Sequence, residues 1–194
     1  MTNQKYQIIY ADPPWSYRDK ARAGQRGAGC KYQTQDVEWL KTLPLSEIAD
    51  TNCALFLWVT MPQLNVCFDL LNAWGFTYKT VAFTWVKKNK KSGSWFWGMG
   101  SWTRANAEIC LLATKGSPKR ISASVSSVIS TPIEEHSKKP ALVRERIVQL
   151  MGDLPRIELF ARETTLGWDC VGNEINGKDI KQELEEVING QTTI

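Results

Sequence analysis

Histidine is almost missing from this sequence: one residue, His136, stands among 194. A Ser-His-Asp or Cys-His hydrolase must be built around that single imidazole. Yet His136 follows Glu134 and Glu135, a setting that suits a solvated loop. Cysteine is sparse too. The five thiols, Cys30, Cys53, Cys67, Cys110 and Cys170, are odd in number and never form C-x-x-C. That argues for reduced thiols and against a disulfide framework or a zinc site, and no metal is expected. No apolar run reaches the ~18 residues of a membrane span, and the opening "MTNQKYQ" is not a basic-then-apolar leader. These features predict a soluble, cytoplasmic protein with no membrane association.

Two nucleotide-binding signatures are also incomplete. "GQRGAGCKY" resembles a phosphate-binding loop, but Cys30 follows Gly29 where Lys-Ser/Thr is needed, so the magnesium-binding hydroxyl is absent. "GMGSWT" begins like a dinucleotide fingerprint and has no third glycine. The net charge of +4 is mild; it permits an anionic partner and proves none.

What the chain does have is an alternation of apolar runs. "YQIIYA", "CALFLWVT", "KTVAFTWVK", "AEICLLATKG", "RIELFAR" and "WDCVGNE" read as strands by length and by β-branched and aromatic content. Between them, "TQDVEWLKTLPLSEIAD" is helix-like. "QLNVCFDLLNAWGF" spaces Leu64, Phe68 and Leu71 at helical intervals and stops at Gly75. "KPALVRERIVQLMGD" carries Pro140 at its start and Gly152 at its end, both good helix signals. Residues 117–135 are Ser/Thr-rich and read as a loop. The tail "KDIKQELEEVI" places Ile180, Leu184, Val187 and Ile188 on one face. It docks on its own sheet, the commoner outcome, or on a second subunit, which leaves a homodimer open. The pattern predicts an α/β fold, a mostly parallel twisted sheet with helices on both faces. One domain, 1–194, is the default for this length.

The unusual feature is how the first strand ends. "YADPPW" puts a carboxylate, Asp12, ahead of two prolines and a tryptophan. Pro13 and Pro14 cannot continue a ladder and stiffen the chain beyond Asp12. A chance Asp-Pro-Pro-Trp in a chain of this length has odds on the order of one in a few thousand. The corner is suited to a flat, amine-bearing ring. The lone pair of such an amine is delocalised, so it is a weak nucleophile. A carboxylate accepting one N–H and a carbonyl accepting the other favour the positive charge that develops on alkylation. Asp12 and the Pro13 carbonyl supply those acceptors, and Trp15 is expected to stack on the ring.

At this point the sequence resembles a family. "ADPPW" resembles motif IV of the S-adenosylmethionine-dependent amino methyltransferases. "LFLWVT", "AWGF", "TWVK", "KKP" and "IELFAR…GW…VGNE", in that order, look like the branch that includes the eukaryotic mRNA adenosine methyltransferase and its bacterial and phage relatives. The resemblance covers residue 8 to about residue 175. It implies a Rossmann-like methyltransferase fold in permuted, β-type order, because the catalytic motif precedes the cofactor strand. It also implies S-adenosylmethionine as cofactor, converted to S-adenosylhomocysteine, across the carboxyl ends of the strands. By motif match Lys139 would meet the methionine carboxylate; Arg162, Asn173 and Glu174 would hydrogen-bond the ribose hydroxyls, Phe160 would also belong to the cofactor site, and Asp12 would lie near the sulfonium. The family's eukaryotic members more often carry an amide where Glu174 stands.

Two loops are read as the substrate half. Residues 87–104, "KKNKKSGSWFWGMGSWTR", interleave Lys87, Lys88, Lys90, Lys91 and Arg104 with Trp95, Phe96, Trp97 and Trp102. Cations track phosphates and aromatic faces stack on unpaired bases. Residues 16–34 add Arg18, Lys20, Arg22, Arg26 and Lys31 among glycines, as in a closing lid. Tyr32 matches a family position near the target base. The cofactor half is then 136–175, and the terminal helix 178–189. The resemblance implies methyl transfer to the N6 amine of adenine, flipped out of a duplex or single-stranded. A compact bacterial or phage member favours DNA over RNA. A catalytically silent nucleic-acid-binding partner subunit is the rival from another class, and that partner lacks the Asp-Pro-Pro-Trp signature retained here.

Overall fold

The structure, a computed structural model, describes residues 5–16, 35–100, 102–134 and 138–190. Among them, seven strands form one sheet: β1 (Tyr6–Ala11), β2 (Ala49–Val59), β3 (Thr77–Lys88), β4 (Glu108–Lys115), β5 (Val128–Pro132), β6 (Arg156–Leu159) and β7 (Asp169–Val171). Their spatial order is β5-β3-β4-β2-β1-β6-β7. The pairs β1–β2, β1–β6, β6–β7 and β3–β5 are parallel, and β4 is antiparallel to both β2 and β3. β4 is therefore the one strand that runs against the rest. The α/β, largely parallel architecture is the one the alternating pattern predicts.

Strand geometry explains why the apolar runs are nearly continuous. Successive side chains point to opposite faces. Ile9 and Ala11 of β1 join one core with Leu55, Leu57 and Val59 of β2, while Ile8 and Tyr10 join a second core with Ala54, Phe56 and Trp58. A sheet covered on both sides needs apolar residues at every position. The first core is roofed by α1 (Val37–Lys41), α2 (Leu45–Ile48), α3 (Leu64–Ala73) and α6 (Ile180–Ile188), and the second by α4 (Leu142–Met151). A single-turn helix, α5 (Asn173–Asn176), follows β7.

Three details depart from the sequence reading or resolve it. Among the described residues of the helix-like segment 34–50, two short helices form, because Pro44 has no N–H to continue a helix and sits at the start of α2. The Ser/Thr-rich stretch 117–135 contains a strand, β5, whose Ile129 is wholly buried while Val128 stays exposed; its single buried apolar side chain leaves almost no periodic signal. The tail helix docks on its own chain, with Ile180, Leu184 and Val187 in the first core. No helix among the described residues is long and apolar enough to cross a membrane.

The second core contains a buried ion pair. Glu158 of β6 is 6% exposed and accepts from Arg144 of α4 twice, Nε to Oε2 at 2.5 Å and Nη2 to Oε1 at 2.7 Å. Arg144 also lies over the Tyr10 ring, 5.9 Å from its centroid. Burial pushes the Glu158 carboxyl up, against the pull of Arg144. Removing one partner strands the other charge in the interior. Arg144→Met is expected to cost about 3 kcal/mol of stability, read as a lowered urea midpoint at neutral pH; an unchanged midpoint would show the pair to be dispensable.

Candidate active site at the carboxyl edge of the sheet

Strand direction gathers the site. β1, β6 and β7 point their carboxyl ends to one edge, so Asp12, the Phe160–Arg162 turn and the Gly172–Glu174 turn all emerge there. Because β4 runs the other way, its first residue, Glu108, reaches the same edge, opposite Trp85. Lys139 lies between β5 and α4.

These residues form an alternating chain of charge. The Lys139 ammonium donates to Asp12 Oδ2 at 2.7 Å and lies 3.3 Å from Glu108 Oε2. Lys87 closes the chain through an ion pair with the other oxygen of Glu108. Lys139 also sits 5.4 Å from the Trp58 ring centroid, and Lys87 5.0 Å from that of Trp85. Burial depresses an ammonium, but Asp12 and Glu108 together hold Lys139 above its ordinary range. Burial likewise pushes Glu108 up, yet Lys139 and Lys87 outweigh it and keep the carboxyl below its usual value. Asp12 goes the other way: burial raises its carboxyl more than Lys139 lowers it. Its side chain nonetheless keeps 29% of its surface open at the edge, so a ligand can reach it.

The Pro-Pro corner is fixed by hydrogen bonds. Trp15 N–H donates to the Pro13 carbonyl at 2.8 Å, and Gln35 N–H to that of Pro14 at 2.9 Å. The Trp15 indole N–H reaches the Trp58 carbonyl at 2.9 Å, and the Trp58 indole N–H the Tyr10 hydroxyl at 2.7 Å. Here one expectation is corrected. Trp15 is 3% exposed and belongs to the first core, so its ring anchors the corner and offers no open face for stacking. A buried indole needs a partner for its N–H, and Trp58 supplies it.

On the cofactor side, Arg162 Nε donates to Glu174 Oε2 at 2.9 Å, both side chains remaining accessible. Phe160 adopts a positive φ of 60°, the only non-glycine among the described residues to do so. Gly172 abuts that turn: a Cβ there would lie 2.3 Å from the Ala161 carbonyl oxygen. Asn173 opens α5 directly after Gly172.

The predicted substrate residues divide. Trp95, Trp97 and Trp102 are 49%, 62% and 99% exposed, with Met99 at 79%. Lys90, Lys91 and Arg104 are exposed beside them. Lys88 lies over the Trp95 ring at 5.6 Å, and Arg104 donates to the Met99 sulfur at 3.2 Å. Asn106 staples the base of this loop, accepting from Lys87 N–H at 2.8 Å and donating to the Lys87 carbonyl at 3.0 Å. Lys87 itself does not belong to the exposed group. It is on β3, half-buried against Glu108, which removes it from the expected phosphate track. Tyr32, the cations of 18–31, Cys30 and His136 lie outside the described residues. Cys53, Cys67, Cys110 and Cys170 are buried free thiols, and burial pushes Cys67 up to about 11.

Two residues that matter here carry no motif. Glu108 opens an unremarkable strand, "EICLLATK", and only the reversed direction of β4 brings it to the edge. Trp58 lies inside "LFLWV" and reads as core.

Residues 6–174 match the MT-A70 family. The chain belongs to the MT-A70 methyltransferase family. It is 33% identical over 199 residues to the type II methyltransferase M.MunI of a Mycoplasma species, covering 93% of this chain and 82% of that protein. It is 30% identical to an N(6)-adenosine-methyltransferase MT-A70-like protein of Arabidopsis thaliana, across 88% of this chain and 24% of the plant protein. With the catalytic subunit METTL3 of Homo sapiens it shares 28% identity, across 89% of this chain and 29% of METTL3. The chain thus spans about a quarter of the eukaryotic relatives and most of the bacterial one.

The charge chain makes a titration prediction. A carboxyl raised in the folded state binds its proton more tightly there than in the unfolded chain. The Asp12 contribution to stability therefore falls as pH rises from the unfolded aspartate value through the folded one. By carbon-13 NMR Asp12 should titrate above the ordinary aspartate range. Lys139→Met, which removes the main lowering influence, should move the midpoint higher still. A midpoint that drops in that variant would contradict the pairing.

Proposed function

We propose that this methyltransferase moves a methyl group from S-adenosylmethionine to the 6-amino group of adenine in DNA. The observation that carries the reading is the Asp12 carboxylate, fixed on a rigid corner, open to the sheet edge and set within reach of a buried ammonium. The residues at that edge fit the cofactor. Lys139 is complementary to an amino-acid carboxylate and Asp12 to an ammonium or sulfonium. Arg162, Asn173 and Glu174 offer donors and acceptors for ribose hydroxyls, with Phe160 on the turn between the strands. When bound, the cofactor supplies an electrophilic methyl group on a sulfonium centre.

The chain's own contribution is positioning and charge. Asp12 accepts one amine N–H and the Pro13 carbonyl, using the lone pair left by Trp15 N–H, accepts the other. Together they draw the nitrogen toward tetrahedral geometry and favour its developing positive charge. Pro14 holds the corner rigid through its Gln35 bond, and Trp15 pegs it to β2. Lys139 holds Oδ2 of Asp12, and the carboxylate's second oxygen is the one assigned to accept from adenine. After transfer Asp12 is the nearest base for the amine proton, and its raised carboxyl makes it a better acceptor than an ordinary aspartate. Tyr32 is assigned to the target base by motif. The exposed Trp95 and Trp97, with Lys90, Lys91 and Arg104, are assigned to the nucleic acid, stacking on unpaired bases and tracking phosphates.

DNA is favoured because the bacterial type II relative is matched over most of its length. RNA is the second reading, on the likeness to the N(6)-adenosine enzymes; the catalytic corner does not see the 2′-hydroxyl that separates the two. Incubation with labelled S-adenosylmethionine and matched DNA and RNA oligonucleotides, single- and double-stranded, followed by nucleoside mass analysis, tests both. N6-methyladenine should appear in DNA. Its appearance in RNA alone would select the second reading, and no methylated nucleoside would refute the proposal.

Asp12→Ala should lower turnover by ~10³-fold or more while oligonucleotide affinity in a filter-binding assay stays near wild type. Equal turnover would remove Asp12 from the mechanism. Replacing both Lys90 and Lys91 with Ala should reduce the slope of log affinity against log salt by about 2; an unaltered slope would mean that neither lysine meets a phosphate.

A further inference from the structure

Two carboxylates among the described residues are buried. Glu158 is accounted for by Arg144. The other, Glu183, has no part in the chemistry above. It belongs to α6 and is 6% exposed, on the face that carries Ile180, Leu184 and Val187 into the first core. Placing a charged side chain among these residues costs desolvation, so its partners define its purpose. They are both neutral. Oε2 accepts from the backbone N–H of Gly172 at 2.9 Å, and Oε1 from the Asn176 side-chain amide at 2.6 Å.

The position of Gly172 gives this bond its meaning. β7 is an edge strand of the sheet, so among the described residues no further strand lies beside it to take the N–H that follows Val171, and a buried amide left unpaired is costly. Glu183 replaces the missing neighbour. On its other side Gly172 is pressed against the Phe160–Ala161 backbone, where a Cβ would come within 2.3 Å of one Ala161 atom and 2.7 Å of another, and Ala161 N–H donates to Val171 at 2.9 Å. Gly172 is thus where the turn after β6 meets the turn after β7. The second turn is fixed again at its far end. Gly177, in the left-handed region with φ 75°, closes α5 by donating to the Asn173 carbonyl at 3.0 Å. The Asn176 carbonyl oxygen of the side chain accepts from Lys178 N–H at 3.0 Å, which orients its amide toward Glu183.

We propose that Glu183 is a positioning residue for cofactor binding: from the tail helix it clamps the Gly172–Asn176 turn, and so sets where Asn173 and Glu174 stand relative to Arg162. The inference rests on the assignment of those three residues to the cofactor, and it adds the residue that holds them in register. A carboxylate suits the role because it accepts from two donors at once. A glutamine keeps an acceptor for Gly172 and turns an N–H₂ toward the Asn176 amide.

The test measures S-adenosylhomocysteine binding by calorimetry on the full chain, together with KM, kcat and the melting temperature. Glu183→Ala should weaken binding on the order of tenfold, the worth of one hydrogen bond to a charged group. KM for the cofactor should rise while kcat at saturation stays near wild type, and oligonucleotide affinity should be unchanged. Glu183→Gln should recover part of the loss. Full cofactor affinity in folded Glu183→Ala, with only the melting temperature lowered, would make Glu183 a structural brace and overturn the proposal. If Glu183→Ala does not fold, Glu183→Gln carries the test: faster amide exchange at Gly172 with weaker binding supports it, and faster exchange with unaltered binding overturns it. Arg162→Ala and Asn173→Ala separate the two levels. Loss of affinity in these but not in Glu183→Ala refutes the clamp alone, whereas no loss in any of the variants refutes the cofactor assignment beneath it.

Discussion

The bond from Lys139 to Asp12 is the contact on which the rest of the site depends. A carboxylate as enclosed as Asp12 would be driven toward its neutral form without a cation beside it. A lone lysine would in turn be driven to shed its proton. Neither solution leaves a group able to accept from an amine. The chain of alternating signs, Asp12, Lys139, Glu108 and Lys87, favours the charged forms of Lys139 and Glu108, tempers the rise at Asp12, and gives each inner member two partners. The arrangement requires an acid on the far side of Lys139, and only a strand running against its neighbours can bring one there by its first residue.

Much of the fold was legible because apolar runs, prolines and glycines are local signals. The start of α4 behind Pro140 and its end at Gly152, the stop of α3 before Gly75, and the buried face of α6 all follow from spacing that any stretch of chain carries in itself. β5 was not legible, since a strand with one buried apolar side chain at a sheet edge lacks a periodic pattern. Nor was the break at Pro44 within a segment whose helical periodicity continues on both sides. Of the site, the Asp-Pro-Pro-Trp corner stood out by rarity. Glu108, Trp58 and Glu183 did not, because their importance comes from what lies across the sheet from them. Lys87 was misplaced for the same reason: one lysine in a run of lysines reads as surface until a partner strand is laid beside it.

The tryptophan of the corner shows how residue type and role can part. Its aromatic ring suggested a surface for a base, and its burial makes it a peg. The stiffness of the Pro-Pro segment is then useful only because that peg is seated, through the carbonyl of Trp58, in the sheet. Trp58 is the hinge pin of the arrangement: its backbone holds the corner, its ring faces the lysine, and its own N–H is satisfied by Tyr10, one turn of the pleat before Asp12.

Eight of the nine indoles of this chain fall into two optical populations, with Trp39 half-buried between them. Trp15, Trp58, Trp74, Trp85 and Trp168 are buried, while Trp95, Trp97 and Trp102 stand in solvent on a single loop. Emission from the first group reports the packing of the sheet and its helices. Emission from the second, redder and open to quenchers, reports only what arrives at that loop, so the molecule carries separate intrinsic signals for its integrity and for its encounters.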